Sequence, residues 1–197
     1  MEWLKSLLDD RDEIKSMKSN MYTGTTKLIL GAILASLACI FQSAGIFVGI
    51  GYVVSILTTL PIVVASVISL KIGFLTYILT ILLLAITQPS ELLIFSFTTG
   101  LLGLSLGIGL KILRNSVLIT VFSSFCLTLG ITCLLYVIQF PILGPSVTTN
   151  FDSKILLYIF AFSILYSWIW LKLSLLTLKA VNRFVFRKVA ILYSEKG

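Results

Sequence analysis

Six apolar runs, each near the length of a bilayer crossing, constrain this chain more than any other feature. About 20 apolar residues cross about 30 Å of hydrocarbon as a helix. The runs are Leu28–Ala44, Ile46–Leu70, Ile72–Thr87, Leu92–Leu110, Val117–Phe140 and Ile155–Leu171. Backbone N–H and C=O groups find no partner in lipid, so such runs must satisfy one another as helices. The expected fold is an all-α integral membrane protein with six transmembrane helices. Composition removes the soluble alternative: 58 % of the 197 residues are hydrophobic and 12 % charged, against about 25 % charged in soluble domains. Pro61 lies inside the second run, where its missing N–H predicts a kink or break. The third run is short and stops at the turn Gln88-Pro89-Ser90-Glu91.

Two polar segments flank this membrane domain of residues 28–171. Residues 1–27 carry five acids and five bases. Their apolar residues Trp3, Leu4, Leu7, Ile14, Met17 and Met21 recur at roughly helical spacing, which suggests an interfacial amphipathic helix. The segment is too long and too acidic, and its apolar residues too scattered, to read as a signal peptide. Residues 172–197 form a basic tail in which Lys172, Lys179, Arg183 and Arg187 fall close together on a helical wheel. Such a helix suits an inner membrane surface, with its bases toward anionic lipid headgroups.

The charges also give an orientation. With the N-terminus inside, the inner segments hold 14 of the 15 basic residues. These are the leader's five, then Lys71, Lys111 and Arg114, and the six of the tail. The outer segments hold Glu91, Asp152 and Lys154. The excess of positive charge on inner segments predicts N-in/C-in topology. The formal net charge of +7 is therefore a topology signal, with no stacking aromatics around it to suggest nucleic acid.

Chemistry has few candidates. There is no His, which removes His bases, His-containing triads and His metal ligands. Cys39, Cys126 and Cys133 sit in apolar runs without CxxC spacing and read as small packing residues. No charge falls clearly at a span centre, which disfavours ion-coupled pumps and intramembrane proteases. The glycines Gly100, Gly103, Gly107 and Gly109 lack the Gly-Lys-Ser/Thr ending of a nucleotide loop. Gly103 and Gly107 read instead as a helix-packing groove. Neither catalysis nor a cofactor or metal is expected. What remains is a set of outer-side polar and aromatic residues: Gln42 and Ser43, Tyr52 and Ser55, Gln88 and Glu91, Tyr136 and Gln139, and Asn150, Asp152 and Tyr158. If they converge, they line a pocket with aromatic walls and few polar anchors. Otherwise they are loop polarity and an interfacial belt, as Trp168 and Trp170 are near the inner end of span six.

Three stretches carry a resemblance. Thr26-Lys27-Leu28-Ile29-Leu30-Gly31-Ala32-Ile33-Leu34-Ala35-Ser36-Leu37 places a base before small residues at four-residue spacing. Leu70-Lys71-Ile72-Gly73-Phe74 forms a tight Gly-containing inner turn. Phe97-Thr98-Thr99-Gly100-Leu101-Leu102-Gly103 opens a Gly-rich helix ending in Lys111. Together with length and topology, from about Thr26 to Leu178, the chain resembles the substrate-binding S-component of energy-coupling-factor vitamin transporters. The resemblance implies capture of a micronutrient outside the cell, with Gln42, Gln88, Glu91, Gln139, Asn150, Asp152 and Tyr158 as substrate contacts. It also implies docking through Gly31, Ala32, Ala35 and Ser36 on a transmembrane coupling subunit driven by ATPase subunits. Ser36 departs from the family's paired Ala pattern, and no signature of a thiamine, riboflavin or biotin member is present. The competing expectation is a non-catalytic multi-pass scaffold or assembly factor without a ligand.

Overall fold

The computed structural model describes residues 23–46, 50–140 and 153–194, with side chains through Val181 in the last segment. These residues form helices: α1 (Gly24–Ser43), α2 (Ile50–Ile56), α3 (Thr59–Ile68), α4 (Leu70–Thr87), α5 (Pro89–Ile94), α6 (Gly100–Ile112), α7 (Ser116–Thr132) and α8 (Ser153–Ser194). Six stretches are long and apolar enough to cross a membrane: Gly24–Ser43, Gly51–Ile68, Leu70–Thr87, Pro89–Ile112, Ser116–Val137 and Ser153–Val181. Six such helices are compatible with a multi-pass membrane protein, and these stretches are numbered below as spans one to six.

Local chemistry sets the helix ends. The Thr23 hydroxyl accepts from the Thr26 N–H at 3.4 Å and caps α1. Pro89 opens α5, where its missing N–H has no helical acceptor to lose. Span two is broken at Leu57–Thr58, between α2 and α3. Pro61 lies four residues after Leu57 and cannot donate to the Leu57 carbonyl, which accepts from the Leu60 N–H at 3.0 Å instead. The expected break therefore falls on the N-terminal side of the proline.

Hydrocarbon gives helices no hydrophobic reason to associate, so small residues and hydroxyl-to-backbone bonds carry the packing. Helix α3 is the centre of the bundle, in contact with α1, α4, α6 and α8, while α7 packs between α6 and α8. Ser66 of α3 is fully buried and is pinched from two sides. A Cβ on Gly73 of α4 or on Gly107 of α6 would collide with it. Gly103 meets Ile62 and the Thr59 carbonyl in the same way, each 2.9 Å from where its Cβ would stand. A larger residue at any of these glycines would force the helices apart.

Among the described residues, two turns are wider than an α-helix. Phe95–Thr99 and Cys133–Val137 are π-helical, closed by Gly100 N–H to Phe95 C=O and Ile138 N–H to Cys133 C=O. The first releases the Ser96 carbonyl, which Gly100 would otherwise use, and the Tyr77 hydroxyl donates to it at 2.7 Å. Tyr77 also stacks on Phe95 with ring centroids 5.6 Å apart. The apolar run of span six reads to about Leu171. Helix α8 passes Lys172 without interruption, and Ser174, Leu175 and Leu178 are buried. A lysine with a long apolar stem does not end a helix, and no Gly or Pro lies between Lys172 and Ser194 to do so.

Candidate functional site

Alternation of the spans sorts the charges. The start of α1, the α3–α4 turn and the α6–α7 turn share one end of the bundle, which therefore carries Lys27, Lys71, Lys111 and Arg114. Lys27 and Lys111 lie close enough for their like charges to interact. The end of α1 and the turn before α5 share the other end, and there the polar residues gather.

Gln42, in the last turn of α1, is fully buried. Its Nε2 donates to Glu91 Oε2 at 2.9 Å, and its Oε1 accepts from Thr99 Oγ1 at 3.0 Å. The amide thus ties span one to the first turn of span four and to that span's π-helical turn. Glu91 sits where the unpaired N–H groups of a helix start favour a carboxylate. Gly45 lets the chain approach it, since a Cβ there would stand 3.1 Å from Glu91 Oε1. Thr99 also offers its carbonyl to the Thr59 hydroxyl at 3.3 Å. At the edge of this cluster, Cys39 Sγ lies 3.4 Å from Thr87 Oγ1.

Two buried polar atoms here lack a partner. Gln88 is buried beside the start of α5, and its Oε1 has no hydrogen-bond partner. The buried Ser43 Oγ also lacks one. Buried polar atoms in this state carry a desolvation cost that a water or a ligand donor would relieve.

The other residues of the expected site are placed differently. Gln139 is exposed just beyond the second π-helical turn, in the left-handed region at φ 57°. Tyr158 is 74 % exposed on α8. No hydrogen bond among the described residues links either one to Gln42 and Glu91. Asn150 and Asp152 lie outside the described residues. The small residues of α1 divide between two faces. Gly31 and Ala35 are buried against α4, whose Thr76 and Thr80 hydroxyls donate to the Gly31 and Ala35 carbonyls at 3.2 and 3.5 Å. Ala32 and Ser36 are exposed.

Thr99 and Tyr77 belong to the site region and were not singled out as site residues by sequence reasoning, which read Gly45 only as a packing glycine. A Thr in an apolar span reads as neutral, and a π-helical turn shifts the facing of every later residue. The nearest sequence signal is the pair Thr98-Thr99 directly before Gly100. No family model, curated protein or solved structure matches this chain.

Proposed function

We propose that the chain is a membrane-embedded solute-capture subunit of an ATP-driven uptake system for a vitamin or similar micronutrient. It lies in the cell membrane with both termini inside. The observation that carries the reading is the convergence of Gln42, Glu91 and Thr99, with the unpartnered Gln88 Oε1, at the end opposite the lysines. The positive-inside bias makes that end the outer one. An unpartnered amide oxygen at the same end as the Glu91 side chain suits a solute that presents N–H or O–H donors. On this reading Gln139, Asn150, Asp152 and Tyr158 are further candidate contacts from around the segment between spans five and six.

On this reading the outward face of α1, with Ala32 and Ser36 among the exposed Ile29, Ile33 and Ile40, docks on a transmembrane coupling subunit that works with ATPase subunits. Gly31 and Ala35 serve internal packing with α4. The reading assigns no catalysis and no cofactor to the chain.

One observation favours the alternative of a ligand-free scaffold or assembly factor. Both ends of the Gln42 amide are already satisfied within the protein, as a purely structural brace would require. Affinity purification from native membranes separates the two. Co-purification of ATPase subunits, together with solute uptake that Glu91→Gln abolishes, supports capture. A preparation without ATPase, and uptake indifferent to Glu91, supports the scaffold.

A further inference from the structure

The lysine-bearing end of the bundle collects cations that its own helices leave without a counter-charge. Lys71 lies in the first turn of α4, Lys111 in the last turn of α6, and Arg114 between α6 and α7. All three are exposed. Packing holds these helix ends together. Gly73 of α4 and Gly107 of α6 both press on Ser66, and Gly31 of α1 packs on Ile72, the neighbour of Lys71. Lys27 of α1 approaches Lys111 closely enough for their charges to interact. Among the described residues the one acid is Glu91, at the opposite end of span four, and none of Lys71, Lys111 and Arg114 has an ion-pair partner. Like charges gathered in this way repel one another, and an anion beside them relieves that cost.

The sequence supplies such an anion on a tether that begins at this same end. Five of the other seven acids fall within residues 1–13, four of them in the run Asp9-Asp10-Arg11-Asp12-Glu13. That run lies outside the described residues. Glu13 precedes Gly24, the first residue of α1, by eleven positions, a reach of up to about 35 Å. Packed helices stand about 8–10 Å apart, so all three cations are within range. We propose that the acidic run of residues 9–13 docks on Lys71, Lys111 and Arg114. Charge complementarity selects this occupant, because four carboxylates and one guanidinium give the run a net charge of −3. A tether this short supplies it at roughly millimolar effective concentration. An anionic membrane surface, the other neighbour of this end, would repel the run. The proposal is independent of the solute reading and stands or falls without it.

The test uses the full chain, one per phosphatidylcholine nanodisc, so that both faces are accessible and no second chain is within reach. A water-soluble carbodiimide joins a carboxylate to an amine in direct contact. Peptides joining residues 9–13 to Lys71 or Lys111 are expected to exceed those joining them to Lys188 or Lys196 of the tail by about fivefold, the preference a few exposed ion pairs supply. Salt at about 0.5 M should abolish that preference. A second readout needs no cross-link. Acetylation of Lys71 and Lys111 by a neutral succinimidyl ester should run about threefold faster once the run is neutralised (Asp9→Asn, Asp10→Asn, Asp12→Asn, Glu13→Gln). Those substitutions leave the sequence of the bundle unchanged. Coupling spread evenly over the tail lysines, or equal acetylation rates in the two chains, would overturn the docking. A preference that vanishes when about a third of the lipid is phosphatidylglycerol would overturn this occupant in favour of headgroups.

Discussion

The Gln42 side-chain amide donates to the Glu91 carboxylate at 2.9 Å across 49 residues of sequence, joining the end of span one to the start of span four. One short polar residue on each span, with a glycine to allow approach, is enough to fix two helix ends against each other. Replacing Gln42 by Leu would leave the Glu91 carboxylate and the Thr99 hydroxyl without their partner. A loss of about 2–3 kcal/mol is expected, measured by denaturant unfolding in detergent. Gln42→Glu replaces the amide donor to Glu91 by a second carboxylate, and its stability at neutral pH should fall below that of wild type.

Ser66 is the point where α3, α4 and α6 meet. Gly107→Ala should cost about 1–3 kcal/mol by overpacking. Ser66→Gly should return part of that loss in the double variant, with a coupling of about 0.5–3 kcal/mol. Gly24→Ala is the control, since nothing lies within 4 Å of its would-be Cβ, and its effect should stay within about 0.5 kcal/mol. A double-mutant cycle by thermal unfolding measures all three.

The orientation can be read by cysteine labelling. With Cys39, Cys126 and Cys133 replaced by Ala, a single cysteine at Lys71 or Arg114 should resist a membrane-impermeant maleimide in intact cells. One at Lys154 should react. The reverse pattern would invert the topology.

The two faces of α1 predict opposite outcomes. Trp at Ala32 or Ser36, both exposed, should leave stability within about 0.5 kcal/mol of wild type while removing co-purifying ATPase. Leu at Gly31 should unfold the contact with α4, because Ile72 Cγ2 stands only 2.9 Å from the would-be Cβ. Pull-down and thermal unfolding of the same variants separate the two effects.

Much of this architecture was legible because the bilayer demands about 20 apolar residues per crossing, and each run had to become a helix. Pro61 marked its break for a similarly local reason. Side-chain facing was harder to read. The four-residue spacing of Gly31 and Ala35 predicted a small-residue face without saying whether α4 or another subunit would cover it. At the site, Gln42 and Glu91 stood out as polar residues at span ends. Thr99 did not, because only the π-helical turn at Phe95–Thr99 brings its hydroxyl to Gln42. Helix α8 runs on past Lys172, where the apolar run reads as ending, and Ser174, Leu175 and Leu178 beyond it are buried.

The central claim is that the cluster around Gln42, Gln88 and Glu91 holds a solute. Native mass spectrometry of the chain released from its own membranes tests this most directly, in wild type and in the Gln88→Ala/Glu91→Gln double variant. The account predicts a small non-lipid adduct on the wild type that the folded double variant lacks. A wild type that carries no such adduct, or an adduct unchanged in the variant, would contradict it.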